Sequence, residues 1–179
     1  MDRIKQLVLP EGVDGALITS DINRRYFTGM KSSAGMLLIF KECAYLIIDF
    51  RYIEKARNTV KNCTVMEQEN LTEQINSLMK KHNAKSLAVE SMDMTLSRMS
   101  FLEKKFPDIE FIKSDELSNN IYDMRTIKSA EEIEKIHKAQ EIAEKAFDEI
   151  LGFISPGVTE REIALKLDLS LIHISEPTR

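Results

Sequence analysis

Short apolar runs alternate with helical patterns between residues 16 and 112, and this alternation constrains the fold more than any other feature. Lys41 and Glu42 alone separate two of the runs, which predicts that those two strands form a tight antiparallel hairpin. Helices interleaved with five or six short strands, one hairpin included, predict an α/β domain with a mixed sheet covered by helices. The predicted strands are 16–19, 35–40, 43–49, 64–66, 86–89 and 109–112, and the predicted helices between them are 21–27, 51–58, 70–82 and 96–106.

After the last predicted strand the pattern changes, and two further helices are predicted. Ser129 and Glu132 have the spacing of a capping box, which predicts the start of the longest helix. Its apolar residues recur at helical spacing up to a Ser-Pro-Gly turn at 155–157, and Thr159 with Glu162 predicts the next helix start. A long helix with a wide apolar face must pack on something. The preceding domain is one candidate partner, and a sheet from a longer polypeptide is the one we favour.

The balance of charge argues against nucleic-acid binding. The 25 Lys and Arg residues nearly match the 29 Asp and Glu residues, for a formal net charge of −4, and the sequence has no basic stripe. The apolar runs are far shorter than the ~20 residues of a membrane span, so no membrane partner is expected. Two isolated cysteines, Cys43 and Cys63, are predicted to be buried free thiols, which favours a reducing, cytoplasmic compartment.

Few patterns in the sequence indicate catalysis. Glu134 and His137 have the Glu-x-x-His spacing of di-iron sites in helix bundles, but the sequence has no second copy, and a solvated helix face is the favoured interpretation. The three histidines are too scattered for metal-ligand spacing, and the sequence has neither a Gly-x-Ser-x-Gly elbow nor a glycine-rich phosphate-binding motif. The sequence therefore predicts no catalytic residue and no metal ligand in this chain.

Two polar and aromatic segments, 20–29 and 48–52, lie where predicted strands lead into helices. Side chains at such positions are well placed to line a cleft. The alternative is structural: Arg51 pairs with Asp49 or Asp21, and the tyrosines close the core. The residues alone leave both interpretations open.

Several segments, in the order in which they occur, carry a resemblance to a known family. Together they resemble the N-terminal domain of Xaa-Pro aminopeptidases and prolidases (the creatinase family) and the linker and first helices of its catalytic domain. The resemblance covers residues 1–168. The segments are GALITS at 15–20, NRRYFTG at 23–29, LIIDFRY at 46–52, MRTIKSAEEIEK at 124–135 and FISPGVTERE at 153–162.

The resemblance implies a creatinase-type N-terminal domain at 1–125, followed at 126–168 by the linker and opening helices of an incomplete pita-bread metallopeptidase domain. In that family two divalent metal ions (Mn, Co or Zn) activate a bridging hydroxide, which attacks the carbonyl before proline. The family's two Asp, one His and two Glu ligands lie in the catalytic sheet, beyond residue 168 of this chain. The resemblance therefore implies a chain that binds no metal by itself and is not catalytically competent alone.

The resemblance also implies a role for the N-terminal domain. Family members often build part of the cleft for a proline-containing peptide from this domain, sometimes from the partner subunit of a homodimer. By that analogy Tyr26, Arg51 and Tyr52 are candidate substrate-cleft residues, and Arg51 is expected to anchor a substrate carboxylate. The competing hypothesis is a stand-alone, non-catalytic module for protein binding or dimerisation.

The segment LSLIHISEPTR at 169–179 departs from the apolar stripe of the last predicted helix. It matches nothing expected of the family at this position, and it resembles a translated sequencing adapter. We therefore predict that this tail is not native coding sequence.

Overall fold

The computed structural model describes residues 3–175, which form two compact units divided between Thr126 and Ile127. None of the helices in this range combines the length and the apolar composition that a membrane span requires. The strands are β1 Gly15–Ile18, β2 Met36–Phe40, β3 Ala44–Ile48, β4 Thr64–Glu67, β5 Ser86–Val89 and β6 Glu110–Ile112. The helices of the first unit are α1 Arg3–Gln6, α2 Asp21–Thr28, α3 Ile53–Thr59, α4 Leu71–Lys81, α5 Leu96–Lys105 and α6 Glu116–Thr126, and those of the second are α7 Ala130–Leu151 and α8 Glu160–Ser175.

The strands form one sheet in the order β4-β3-β2-β1-β5-β6. β2 runs antiparallel to both of its neighbours, and the remaining pairs are parallel. The predicted hairpin is confirmed, with Met36 opposite Ile47 and Ile39 opposite Ala44, and so is the predicted mixed sheet. Because every strand except β2 points the same way, their carboxyl ends meet at one edge of the sheet, called here the carboxyl edge. The opposite side is the amino edge.

Alternation of side chains divides the buried residues of the sheet between two cores. In β1, Ala16 and Ile18 face the first core and Leu17 faces the second. Helices α1, α2, α3 and α6 cover the first core, and α4 and α5 cover the second. The central strands are therefore buried on both faces, which is why β2 and β3 read as continuous apolar runs in the sequence.

Helix α6 is an element that the sequence patterns did not predict. Its buried residues are Leu117, Ser118 and Ile121, and most of the others are polar. Leu117, Ile121 and Met124 cover only about two turns, and a stripe that short cannot be distinguished from a linker by periodicity alone. In the folded unit Leu117 and Ile121 are nevertheless fully covered, and with Met124 they complete the first core.

Helix α7 begins at the predicted capping box. Glu132 N donates to Ser129 Oγ at 3.2 Å, and Ser129 N donates to Glu132 Oε2 at 2.9 Å. The helix ends at Leu151, earlier than predicted. Its buried apolar residues are Ala146 and Ile150, so the greater part of the predicted apolar stripe is not covered within this chain.

Helix α8 continues to Ser175, so the helical backbone includes the first part of the segment 169–179. Within that part Ser170 is buried, while Leu169 and Ile172 are exposed. Residues 176–179 lie outside the described range. The non-native origin of the tail stays a prediction.

Candidate functional site

The carboxyl edge brings Asp49 and Arg51 together directly after β3. Arg51 Nη2 lies 2.6 Å from Asp49 Oδ2, and Arg51 Nε lies 3.2 Å from the same oxygen. The backbone N–H of Arg51 also donates to Asp49 Oδ1 at 3.0 Å. The Arg51 side chain remains 56% exposed. Of the two ion-pair partners considered from the sequence, Asp49 is therefore the one that Arg51 contacts.

Tyr52 lies beside this ion pair. The Arg51 Cζ atom is 5.5 Å from the centroid of the Tyr52 ring, within the range of a cation–π interaction. The Tyr52 hydroxyl lies 2.8 Å from Ser33 Oγ, in the loop that leads into β2. Because β2 is antiparallel, its amino end lies at the carboxyl edge, and that is why these two distant segments meet.

The ionisation of the group follows from these contacts. The hydrogen bond from Arg51 lowers the pKa of the Asp49 carboxyl, and Asp49 in turn raises the pKa of Arg51. The hydrogen bond with Ser33 lowers the pKa of the Tyr52 hydroxyl. The carboxyl edge thus presents a permanent guanidinium cation, paired with one carboxylate and flanked by an aromatic ring.

Tyr26 has a different set of contacts. Its hydroxyl donates to the Met124 carbonyl oxygen at 3.0 Å, and Arg3 Cζ lies 4.2 Å from the centroid of its ring. The ring also meets Phe27 edge-on, with centroids 5.3 Å apart. Tyr26 therefore joins α2 to α1 and α6, whereas Arg51 and Tyr52 contact each other and the loops of the carboxyl edge.

A buried carboxylate, Glu90, organises the centre of this edge, and the sequence reasoning missed it. Its Oε2 accepts hydrogen bonds from the backbone N–H groups of Thr19 at 2.5 Å and Ser20 at 3.0 Å, and its Oε1 accepts one from Asn23 Nδ2 at 2.7 Å. Ser20 is the N-cap of α2 but makes no side-chain capping bond, so Glu90 serves the helix start instead. Arg125 Nη1 extends the network by donating to Asn23 Oδ1 at 3.0 Å.

Arg24 is a second buried polar residue at this edge, with only 2% of its surface exposed. Its Nη1 donates to the carbonyl oxygen of Thr19 at 2.7 Å, and its Nη2 contacts Asp21 Oδ1 at 2.7 Å and the carbonyl oxygen of Ser32 at 3.1 Å. These contacts tie the end of β1 to the loop before β2. Through Ser32, Arg24 also helps to hold the loop from which Ser33 contacts the Tyr52 hydroxyl.

The loops and helix starts at the carboxyl edge also expose apolar side chains. Such residues occur in the first turn of α2, directly after β3, after β5 and at the start of α5. Exposed apolar side chains rimmed by polar residues are typical of a surface that binds another molecule. The four residues, with their exposed fractions, are Ile22 at 61%, Phe50 at 74%, Met92 at 64% and Leu96 at 88%.

The described part of the chain shows no cluster of metal ligands. Between residues 3 and 175, no group of three or more His, Cys, Asp or Glu side chains is placed to hold a metal ion. Glu134 of the Glu-x-x-His pair instead contacts Lys138 Nζ at 2.7 Å on an exposed helix face, as the solvated-face interpretation predicts.

The sequence profile of the Creatinase/Prolidase N-terminal domain matches residues 1–127, a range that contains the whole sheet and both polar segments of the candidate site. The chain belongs to this family. The predicted fold class is confirmed: a creatinase-type N-terminal domain with a mixed, helix-covered, six-stranded sheet.

Relatives of this creatinase-type chain are peptidases. It is 33% identical to the uncharacterized peptidase YqhT of Bacillus subtilis over 94% of its own length, and 34% identical to the Xaa-Pro dipeptidase of Pyrococcus horikoshii over 93%. Among solved structures it resembles the Xaa-Pro dipeptidase of Bacillus anthracis, with a TM-score of 0.84, 32% identity and 94% of this chain covered. It also resembles the X-Pro aminopeptidase of Thermotoga maritima, with a TM-score of 0.83, 30% identity and 97% covered.

The alignments cover only part of each relative. The matched region is 47% of the Bacillus subtilis peptidase and 45% of the Pyrococcus horikoshii dipeptidase. It is 47% of the Bacillus anthracis structure and 49% of the Thermotoga maritima structure. The chain thus spans about half the length of the curated relatives it matches.

Proposed function

We propose that this chain is the N-terminal portion of a metal-dependent Xaa-Pro aminopeptidase or dipeptidase, and that it is not catalytically competent alone. The observation that carries the proposal is the coverage: nearly the whole chain aligns with Xaa-Pro peptidases, yet it accounts for less than half of the dipeptidases' length. In the complete enzyme, residues outside this chain would hold the two divalent metal ions. We place the enzyme in the cytoplasm, because cysteines without disulfides, such as Cys43 and Cys63, are typical of reducing compartments.

The exposed face of α7 supports this proposal. Ile133, Ile136, Phe147 and Leu151 are each about half exposed. A helix with an apolar stripe on one face normally packs that stripe against another element. In this proposal that element is the catalytic sheet of the complete peptidase.

The cleft-wall role falls on the carboxyl edge. Arg51 is the strongest of the three candidates, because its side chain is mostly exposed and carries a permanent positive charge. Asp49 engages Nε and Nη2, and a guanidinium has five N–H donors, so it can also bind a peptide carboxylate. Tyr52 would flank the bound peptide, and Tyr26 would support the wall from α2. The exposed apolar groups of the carboxyl edge would form the dimer contact.

Assays of the chain test the first part of the proposal. Purified chain supplied with Mn²⁺, Co²⁺ or Zn²⁺ should not cleave an Xaa-Pro dipeptide or tripeptide. Turnover that co-purifies with the chain through several orthogonal steps would overturn the proposal. Sequencing the gene beyond codon 168 tests the origin of the tail, because an open frame through Arg179 would show that 169–179 is native.

The longer protein tests the cleft wall. Arg51→Ala should raise KM for a proline-containing dipeptide by about 10-fold or more, since a charge-assisted hydrogen bond contributes about 1.5–3 kcal/mol. Arg57→Ala is the matched control, because Arg57 is an exposed arginine in the last turn of α3. Equal kinetic constants for the two variants would show that Arg51 does not bind the substrate.

The exposed apolar residues of the carboxyl edge favour a second candidate, a stand-alone binding or dimerisation module. Such a module should be a discrete monomer or dimer in solution, with strong hydrogen-exchange protection throughout α7. Aggregation, or rapid exchange across residues 129–175, would favour the fragment of a peptidase.

A further inference from the structure

A cysteine, a histidine and a tyrosine meet at the amino edge, on the opposite side of the sheet from the candidate cleft wall. Cys43 Sγ lies 3.5 Å from His82 Nε2 and 3.8 Å from His82 Nδ1. The Tyr45 hydroxyl lies 2.9 Å from the same Nε2 atom. Cys43 directly follows the turn of the β2–β3 hairpin, and His82 is the C-cap of α4. Two elements far apart in the sequence thus bring a thiol and an imidazole into contact.

The imidazole is held in place by its neighbours. The Phe40 ring stacks on it with centroids 4.4 Å apart, and the Tyr45 ring lies 5.5 Å away on a tilted plane. Lys81 Nζ lies 5.3 Å from the centroid of the Tyr45 ring. A fixed imidazole beside a thiol can accept its proton, and the resulting imidazolium stabilises the thiolate.

The thiol faces a cavity of about 770 Å³. Apolar residues of the N-terminal segment, including Leu7, Leu9 and Val13, form one wall, and the β2–β3 hairpin with His82 forms another. This volume is large enough for a small organic molecule. The charged groups that line it are Lys5, Asp14, Lys41 and Glu42.

We propose that Cys43 is a site of reversible thiolation by low-molecular-weight disulfides, with His82 as its proton acceptor. The Cys43 thiol transfers its proton to the His82 imidazole, and the thiolate attacks one sulfur of the small disulfide. The S–S bond of the small disulfide breaks as the Cys43–S bond forms, and the departing thiolate takes the proton from His82. The small disulfide is the oxidant, so atoms and electrons balance.

Cys63 provides a comparison within the same molecule. Like Cys43 it is half-buried and not in a disulfide, and it precedes β4. It packs against the first core and is not part of the cavity lining. The proposal therefore predicts that small disulfides react faster with Cys43 than with Cys63. The two thiols have similar exposure, but Cys43 contacts the His82 imidazole and lines the cavity.

The experiment uses the whole chain and oxidised glutathione at neutral pH, followed by intact-mass measurement and peptide mapping. In the wild type and in Cys63→Ser, one glutathione should add, and peptide mapping should place it on Cys43. Cys43→Ser should react with glutathione at least 10-fold more slowly. His82→Phe keeps a ring on Phe40 but removes the proton acceptor, so its rate at Cys43 should fall by at least 10-fold. Preferential modification of Cys63, or an unchanged rate in His82→Phe, would overturn the proposal.

Two readouts separate this role from a structural one. If His82→Phe loosens the fold, Cys63 in the same molecule will react faster, so its rate reports folding. Tyr45→Phe removes the hydroxyl that shares Nε2 and leaves the imidazole in place, so Cys43 should react at least as fast as in the wild type. Equal slowing in Tyr45→Phe and His82→Phe would assign the cluster a packing role only and would refute the proposal.

Discussion

The carboxylate of Glu90 is fully buried and is surrounded by donors rather than by a cationic side chain. Glu90→Gln replaces one oxygen with an amide NH₂, so either the N–H groups of Thr19 and Ser20 or the amide of Asn23 faces a second donor. An unsatisfied buried donor costs about 1–3 kcal/mol, and the free energy of unfolding in urea should fall by that amount. Glu103→Gln, which removes an exposed pair with Lys113, should cost less than about 1 kcal/mol. Equal losses would show that burial of Glu90 is not what makes it stabilising.

Asp14 gives the stability of the unit a dependence on pH. The backbone N–H groups of Lys85 and Ser86 donate to its carboxylate and lower its pKa below the ordinary value of 3.8. A depressed pKa contributes stability above the unfolded-state pKa, and this is lost as pH falls through the folded-state pKa. The stability difference between wild type and Asp14→Asn should therefore be constant above about pH 5 and shrink below about pH 4. Urea titrations across that range measure it; a difference that grows on acidification would contradict the assignment.

At the scale of single residues, the sequence reveals side-chain types but not their tertiary partners. Segments 20–29 and 48–52 were correctly placed at strand ends, and the Arg51–Asp49 pair was one of the alternatives considered. Glu90 was missed because an acidic residue after an apolar strand is ordinarily solvated. Its burial depends on donors about seventy positions away, supplied only when β1 and β5 pair.

At the scale of elements, the capping box at the start of α7 is open to a direct test. Ser129→Ala removes the side chain that accepts from Glu132 N, and loss of an N-cap costs about 0.5–2 kcal/mol. Amide exchange in the first turn of α7 should accelerate by about 2- to 30-fold. Lys145→Ala, at an exposed position later in the same helix, should leave first-turn exchange unchanged. Acceleration in both variants would indicate general fraying of α7 rather than loss of the cap.

Elements with a strong local signal were predicted, and those that depend on tertiary contacts were not. The hairpin needs only two apolar runs and a two-residue turn. Helix α4 starts at Leu71, directly after its N-cap Asn70, whose side chain accepts from Glu73 N, and the predicted start at 70 agrees with this. By contrast, α6 depends on burial of Leu117 and Ile121 in a core that the rest of the unit creates. The end of α7 at Leu151 was predicted too late because Pro156 and Gly157 are strong turn signals that nevertheless lie beyond the last helical residue.

At the scale of the whole molecule, the alternation of strands and helices determined the fold class, because two-sided burial of a mostly parallel sheet leaves few other arrangements. The site could not be derived in the same way. Under the proposed function, residues outside this chain would complete the cleft beside Arg51, and no pattern within the chain reports on them. The family resemblance supplied that part of the prediction.

Both cores consist entirely of residues before Thr126, so the first unit should fold without the second. A protein comprising residues 1–126 should unfold cooperatively, with a thermal midpoint within a few degrees of the full chain, because removing residues 127–179 takes nothing from either core of the first unit. A protein ending at Ile112 is the informative comparison, since it also loses α6. Burial of one Leu or Ile contributes about 1.5–3 kcal/mol, and a loss of two such residues should lower the midpoint by well over 5 °C (about 2–8 °C per kcal/mol). Calorimetry measures both unfolding transitions. Non-cooperative unfolding of the 1–126 protein, or equal thermal midpoints for the two truncated proteins, would show that the contacts of α6 do not complete the core of the first unit.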